Sequence, residues 1–141
     1  MLKSVVYTSV SNVPMHESVL KDILASSKRN NEELKLTGLL IYFEGTFLQV
    51  LEGPIENVDM MIKRIQEDDR NKDMVILLDE PIEEREFGQW DMGFRRIGLD
   101  RDELTKLEIG TIQQLKDNSD VKAILKTFYE LNINSKVKYL F

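Results

Sequence analysis

The chain opens on a period of two. In Leu2 to Ser9, Val5 and Tyr7 fall on one side and Ser4, Val6 and Thr8 on the other, the pattern of a strand. Asn12-Val13-Pro14 then introduces a helix, and the proline is tolerated in its first turn. Met15, Val19, Leu20, Ile23 and Leu24 recur at helical spacing as its apolar stripe, and the pattern runs out near Arg29-Asn30-Asn31. Leu36 to Phe43 and Phe47 to Leu51 are two apolar runs joined at Glu44-Gly45, a hairpin signal. Neither run alternates with polar residues, so both strands must be covered on two sides.

Gly53-Pro54 ends the second run and begins another helix, whose buried stripe is Val58, Met61, Ile62 and Ile65. Asp68 to Asp73 reads as a polar turn and Met74 to Leu78 as a short buried strand. Asp79 to Gly88, acidic and holding Pro81, reads as a loop. Gln89 to Arg95 is a last strand with Trp90, Met92 and Phe94 on one face. Strand–helix–strand–strand–helix–strand with one strand more is a ferredoxin-like plan. The predicted fold is therefore α+β, a ferredoxin-like βαββαββ mixed sheet with two helices on one face. After Gly98, Leu104, Leu107, Ile112 and Leu115 predict a further helix, and Val121, Ile124, Leu125 and Phe128 another, capped by Ser119. These two C-terminal helices are expected to pack on the other face of the sheet, a cover that a partner protein could equally provide. Residues 1–97 then form the main domain and 98–141 a helical extension of the same globular unit.

Composition narrows the function classes. A chain of 141 residues, 42% hydrophobic and 31% charged, fits one folded domain with no disorder signature. The net charge of -6 and the scattered basic residues argue against binding nucleic acid, since Arg95-Arg96 lie beside Asp91 and Asp100. No stretch approaches the roughly 20 apolar residues that span a bilayer, and the N-terminus does not read as a signal peptide. A soluble cytoplasmic protein without a membrane partner is expected. The absence of cysteine removes disulfides, thiolate metal sites and cysteine nucleophiles. His16 is the single histidine, so neither a zinc site nor a histidine-based triad is expected, and no metal is assigned.

Several polar residues sit against this apolar background. Gln49 lies inside Phe47-Leu48-Gln49-Val50-Leu51, and a buried amide has two donors and two acceptor lone pairs to satisfy. It is either an edge position that meets water or an amide held against a polar ligand. Tyr7, on the first strand, is either a core ring with its hydroxyl at the surface or a partner of Gln49. The first and third strands of a ferredoxin-like sheet are neighbours, so the two side chains are expected to pair on the helix face. Asn30-Asn31 ends the first helix and would serve as a C-cap if it has no other role. Arg64 stands at the edge of the second helix's stripe, where a solvated face is the plain alternative. Trp90 and Met92 would ordinarily be core.

Together these segments resemble the BLUF family, sensors of blue light using flavin, over roughly the first 97 residues. The resemblance rests on Val6-Tyr7-Thr8-Ser9, Ser27-Lys28-Arg29-Asn30-Asn31, Leu36-Thr37-Gly38-Leu39-Leu40 and Gly45-Thr46-Phe47-Leu48-Gln49-Val50-Leu51-Glu52-Gly53. Asp69-Arg70 and Phe87-Gly88-Gln89-Trp90-Asp91-Met92-Gly93-Phe94 extend it. It implies a non-covalent flavin, FAD with FMN as the alternative, held between the two main helices against the sheet. Tyr7 is then similar to the family's redox-active tyrosine and Gln49 to its switching glutamine, with Trp90 and Met92 at the last-strand positions whose packing changes with light. Asn31 and Asn30 would bond the polar edge of the ring, Ile23 and Ile65 would join the flavin contacts, and Arg64 and Arg70 would meet the ribityl–phosphate arm. Asn71 departs from the pattern, because the family often has histidine there. Lack of cysteine agrees with a mechanism that needs no thiol adduct.

The implied mechanism is a proton-coupled electron transfer from Tyr7, after which the asymmetric Gln49 amide rotates or tautomerises and makes a new bond to the flavin. An added donor shifts absorption to the red, and a buried network can hold the metastable state. Rearranged Gln49 would reseat Met92 or Trp90 and so move the tail helices. A photoreceptor without an attached catalytic domain is expected, the rest of the chain being too short for a cyclase or phosphodiesterase. Signalling would pass to an unidentified downstream protein or through a homodimer or larger homo-oligomer. Two other readings stay open. One is a light-insensitive ferredoxin-like binding or oligomerisation module. The other is an acylphosphatase-like hydrolase, which Thr8-Ser9-Val10-Ser11-Asn12 disfavours because it holds neither arginine nor glycine.

Overall fold

The computed structural model describes residues 1–12, 17–43, 45–88, 94–96 and 113–132. The chain divides into two compact units, Met1–Arg95 and Arg96–Phe141. From Leu2 to Arg96, β1 (Leu2–Ser11), α1 (Glu17–Glu33), β2 (Thr37–Phe43), β3 (Thr46–Pro54), α2 (Ile55–Gln66), β4 (Asn71–Ile82) and β5 (Phe94–Arg96) follow in that order. The sheet order is β4-β1-β3-β2-β5. β1 pairs antiparallel with both β3 and β4, and β2 antiparallel with β3. This is the ferredoxin-like arrangement, in which each βαβ unit leaves room for a strand of the other between its own two strands.

The apolar periodicities become the core. Val5, Leu51 and Leu40 on the sheet pack with Ile23 of α1 and with Val58 and Met61 of α2. Val19, Ile62 and Ile65 join them partly buried. β1, β3 and β2 are the inner strands, and β3 is buried on both faces, as its unbroken apolar run requires. Gly45, at φ +88, turns the β2–β3 hairpin, where only two residues separate the paired Phe43 and Thr46. Gly53 serves a different need. A Cβ there would stand 2.7 Å from Leu36 Cδ2 and 3.0 Å from the Lys35 carbonyl oxygen.

Three details differ from the sequence pattern. The first helix does not end at Asn30-Asn31 but continues to Glu33. Its cap is a Schellman motif with Lys35 at φ +55, the Leu36 N–H donating to the Asn31 carbonyl at 2.8 Å and the Lys35 N–H to that of Glu32 at 3.2 Å. Asn31 is thus helical, and the C-cap reading is set aside. The fourth strand is neither short nor buried. It runs through Asp79 and Pro81 to Ile82, with Val75, Ile76 and Leu77 exposed. It is the sheet's edge, where a residue without an N–H does not interrupt a ladder on both sides. Its register slips where Val6 pairs with Leu78 and Tyr7 with Ile76, a bulge beside Tyr7.

In the second unit, α3 (Asp120–Asn132) buries Val121, Leu125 and Phe128. Ser119 caps it, its Oγ accepting the Lys122 N–H at 3.1 Å. The preceding helix expected through Leu104, Leu107 and Ile112 lies outside the described residues, as do Met15 and residues 89–93 of the last strand. No helix among the described residues is long and apolar enough to cross a membrane.

Candidate functional site

A cavity of about 660 Å³, its open mouth included, lies on the helix face of the sheet between α1 and α2. Its floor comes from β1 and β3. Tyr7 and Gln49 are directly opposed in the β1–β3 ladder, so their side chains emerge on the same face. Both are buried, and the Tyr7 hydroxyl donates a hydrogen bond to Gln49 Oε1. Burial pushes the Tyr7 phenol well above its ordinary range, and the charge of Asp68 adds to the rise. The phenol is therefore held protonated, with its proton aimed at the amide.

The helices supply the walls. Ile23, Asn30 and Asn31 of α1 and Arg64 and Ile65 of α2 line the cavity, with Arg70 just beyond α2. Asn31 is 1% exposed, and neither its Nδ2 nor its Oδ1 has a hydrogen-bond partner. A buried donor and acceptor left together on a cavity wall fit a ligand edge that offers an acceptor and a donor side by side. The polar edge of an isoalloxazine has that character. The residues present therefore fit a flavin, and the orphaned amide marks the wall its polar edge would meet.

Of the residues singled out in the sequence, Tyr7, Ile23, Asn30, Asn31, Gln49, Arg64, Ile65 and Arg70 all meet at this one cavity. Trp90 and Met92 lie outside the described residues. Asp68 is a lining residue that the sequence pattern did not single out. Arg70 grips it, Nη2 reaching Oδ2 at 2.6 Å and Nε reaching Oδ1 at 3.0 Å, while the Arg70 N–H adds a bond at 2.9 Å. That grip holds the Asp68 carboxyl below its usual range. An acidic residue two positions before an arginine in a turn was the available signal. Asn71, the departure from the family pattern, donates from Nδ2 to the carbonyls of Ile65 at 2.9 Å and Asp68 at 3.0 Å. It locks the α2–β4 turn, a task for an amide rather than a ring.

Comparison with known proteins agrees with this geometry. The family model "BLUF: Sensors of blue-light using FAD" matches residues 2–93. The chain is 34% identical over 90 residues to photoactivated adenylate cyclase subunit beta of Euglena longa, covering 63% of this chain and 10% of that protein. Among solved structures, a bacterial light-regulated adenylyl cyclase superposes with a TM-score of 0.70 at 30% identity, over 93% of this chain and 34% of that one. The dark-state structure of BlrB, a BLUF protein, superposes with a TM-score of 0.70 at 28% identity, over 90% of this chain and 94% of that one.

These relatives correct one expectation. The shortness of the tail predicts a photoreceptor without an attached catalytic domain, but shortness counts only these 141 residues. The chain spans about a tenth of the curated cyclase subunit it matches and about a third of the bacterial cyclase. Domains like it are parts of light-regulated cyclases, so shortness of this stretch does not separate it from catalysis. With the fold, the Tyr7–Gln49 pair, the flavin-compatible cavity and a family match over most of its length, the chain belongs to the BLUF family of flavin-binding blue-light photoreceptors.

Proposed function

We propose that the chain binds FAD between α1 and α2 and signals blue light through the Tyr7–Gln49 pair. The observation that carries this reading is the Tyr7 hydroxyl bonded to Gln49 Oε1 beside an Asn31 amide with no partner of its own. Asn31, with Asn30, would hold the polar edge of the ring, and Ile23 and Ile65 would pack against it. Arg64 and Arg70 would meet the phosphate-bearing arm, and it is FAD that the matching family's description names. Bound flavin supplies the blue absorption and, when excited, a strong one-electron oxidant.

The chain's own residues do the rest. Tyr7 gives up an electron and releases its proton toward the Gln49 carbonyl, the only direction its hydrogen bond offers. Gln49, with an acceptor at one end and donors at the other, then presents a different end to the cavity. When electron and proton return to Tyr7, the altered amide orientation remains as the stored signal. Trp90 and Met92 are proposed as the next residues to respond. Residues 1–97 form the sensory domain in this reading, and 98–141 the output element.

The output is proposed to be a bias on a catalytic or regulatory module, through a downstream protein or through homo-oligomer state, in the cytoplasm. Absorption spectra before and after blue light test the sensing step. A reversible red shift is expected in the native protein and in neither Gln49→Leu nor Tyr7→Phe. A red shift that survives Gln49→Leu refutes the switch.

A further inference from the structure

On the sheet face away from the cavity, a carboxylate is buried that the sensing pair does not use. Glu52 lies on β3 three residues after Gln49, so its side chain points to the opposite face. It is 1% exposed. Its Oε1 accepts the Phe87 N–H at 2.6 Å and the Thr37 hydroxyl at 2.9 Å, and its Oε2 accepts the Glu86 N–H at 3.0 Å. Arg85 reinforces the same contact, donating to Thr37 Oγ1 at 2.9 Å, the Glu52 carbonyl at 3.1 Å and the Lys35 carbonyl at 2.7 Å. Five hydrogen bonds thus tie Arg85, Glu86 and Phe87 to β3, which carries Gln49, and to Lys35 and Thr37 at the entry to β2, and a sixth joins Thr37 to Glu52. The chain then runs directly from Gly88 into residues 89–93.

A second observation points to an alternative partner. Glu52 has two cross-strand neighbours on its face, Thr37 on β2 and Ser4 on β1. Thr37 is bonded to it. Ser4 is 2% exposed, and its Oγ has no hydrogen-bond partner. A buried hydroxyl left unmet beside a carboxylate is an acceptor's second choice kept in place. Moreover, Ser4–Glu52 and Tyr7–Gln49 belong to one β1–β3 ladder, three rungs apart and on opposite faces. The β1–β3 ladder is thus the shortest backbone path from the Tyr7–Gln49 pair on the cavity face to Ser4 and Glu52 on the other.

We infer that Glu52 is a two-position latch, a positioning residue that holds the N–H groups of Glu86 and Phe87 in the dark and turns to the Ser4 hydroxyl in the light. Exchange of partners frees the segment leading into residues 89–93 and converts a hydrogen-bond change at Gln49 into backbone release on the far side of the sheet. The latch rests on the photoreceptor reading above. Its elements are two discrete bonding arrangements of one buried side chain, which is what a switch needs.

Amide exchange at Glu86 and Phe87 in the flavin-loaded chain, dark against continuous blue light, tests it, with the absorption spectrum recorded on the same samples. Native protein should protect both N–H groups in the dark and lose that protection about tenfold or more in the light, the scale of one charge-assisted hydrogen bond. Glu52→Gln, which keeps the volume and leaves its one carbonyl oxygen to Phe87 and Thr37, sets NH2 against the Glu86 N–H, and that amide should exchange fast in both conditions while the red shift is kept. Ser4→Ala should keep dark protection and lose the light response. If Glu52→Gln fails to fold, Thr37→Val, which removes one of the three partners, should show the same loss of dark protection in weaker form. Light-insensitive protection in a native sample that does shift red overturns the latch, as does a native-like response in Ser4→Ala. A native sample with no red shift fails the photoreceptor reading and the latch together, an outcome read from the spectrum and not from exchange.

Discussion

Replacing Asn31 by leucine should move stability and flavin affinity in opposite directions. Its amide is buried on the cavity wall with donor and acceptor both unmet. Each buried polar atom without a partner costs about 1–3 kcal/mol. Leucine has the same branched skeleton and nothing to satisfy. Its larger bulk offsets about 1–3 of the roughly 2–6 kcal/mol recovered from the two atoms, and the backbone bond from the Leu36 N–H to the Asn31 carbonyl does not depend on the side chain. In flavin-free protein Asn31→Leu should therefore gain about 1–3 kcal/mol, a rise of roughly 4 °C or more in melting temperature. With flavin the sign reverses, because leucine leaves the ligand's own polar edge unmet. The loss should be about 2–3 kcal/mol, or roughly 30- to 150-fold in dissociation constant. Urea unfolding of stripped protein and a flavin-fluorescence titration read the two effects separately. Asn30→Leu is the control, since that side chain is only half-buried and should show no comparable gain. A variant less stable than native when stripped, with flavin affinity unchanged, would make Asn31 a structural residue and refute the reasoning.

Acid should weaken the cavity mouth in a defined window. Arg70 holds the Asp68 carboxyl below its ordinary value of 3.8, so its stabilisation is complete above that value and is lost as pH falls through the lower native one. Melting temperatures from pH 6 downward should fall more gently in Asp68→Asn than in the native protein, and identical slopes would remove the pair from the account. Gly53→Ala should cost about 1–3 kcal/mol in urea unfolding, because its Cβ would stand 2.7 Å from Leu36 Cδ2 and 3.0 Å from a backbone oxygen that cannot swing aside. A neutral result there would mean that the β2 entry moves freely, against the six-bond network around Lys35, Thr37 and Glu52.

The sensing half of the molecule was legible because its signals are local. Apolar stripes at periods of two and of 3.6 marked β1, β3, α1 and α2, and a ferredoxin-like order then brought Tyr7 opposite Gln49. A glutamine amid apolar neighbours announces itself, since every residue around it says that water is absent. The misreadings have physical causes of the same local kind. Asn30-Asn31 looked like a helix end because asparagine tolerates the left-handed conformation, yet a lysine took that position and left Asn31 helical. Met74 to Leu78 looked buried because it is apolar, and Pro81 looked like a loop because proline starves a ladder. Both inferences fail on an edge strand, and edge position is a property of the sheet, not of the segment.

Glu52 shows where such reading stops. It stands inside the most characteristic run of the chain, yet in the sequence it is one acidic residue before a glycine, indistinguishable from a solvated strand end. Its partners Glu86 and Phe87 lie 34 and 35 residues away, and their N–H groups carry no side-chain signature at all. A residue that acts on backbone leaves nothing in the partner's sequence to find. Only the register that sets Ser4, Glu52 and Thr37 side by side reveals that the carboxylate has one partner engaged and another waiting. Sensing in this fold depends on which side chains surround a cavity, so substitution pattern records it. Transmission depends on which backbone groups a buried acid holds, so it is written in the ladder between β1 and β3. The two meet because Tyr7–Gln49 and Ser4–Glu52 are rungs of that same ladder, three apart, with no other element between them.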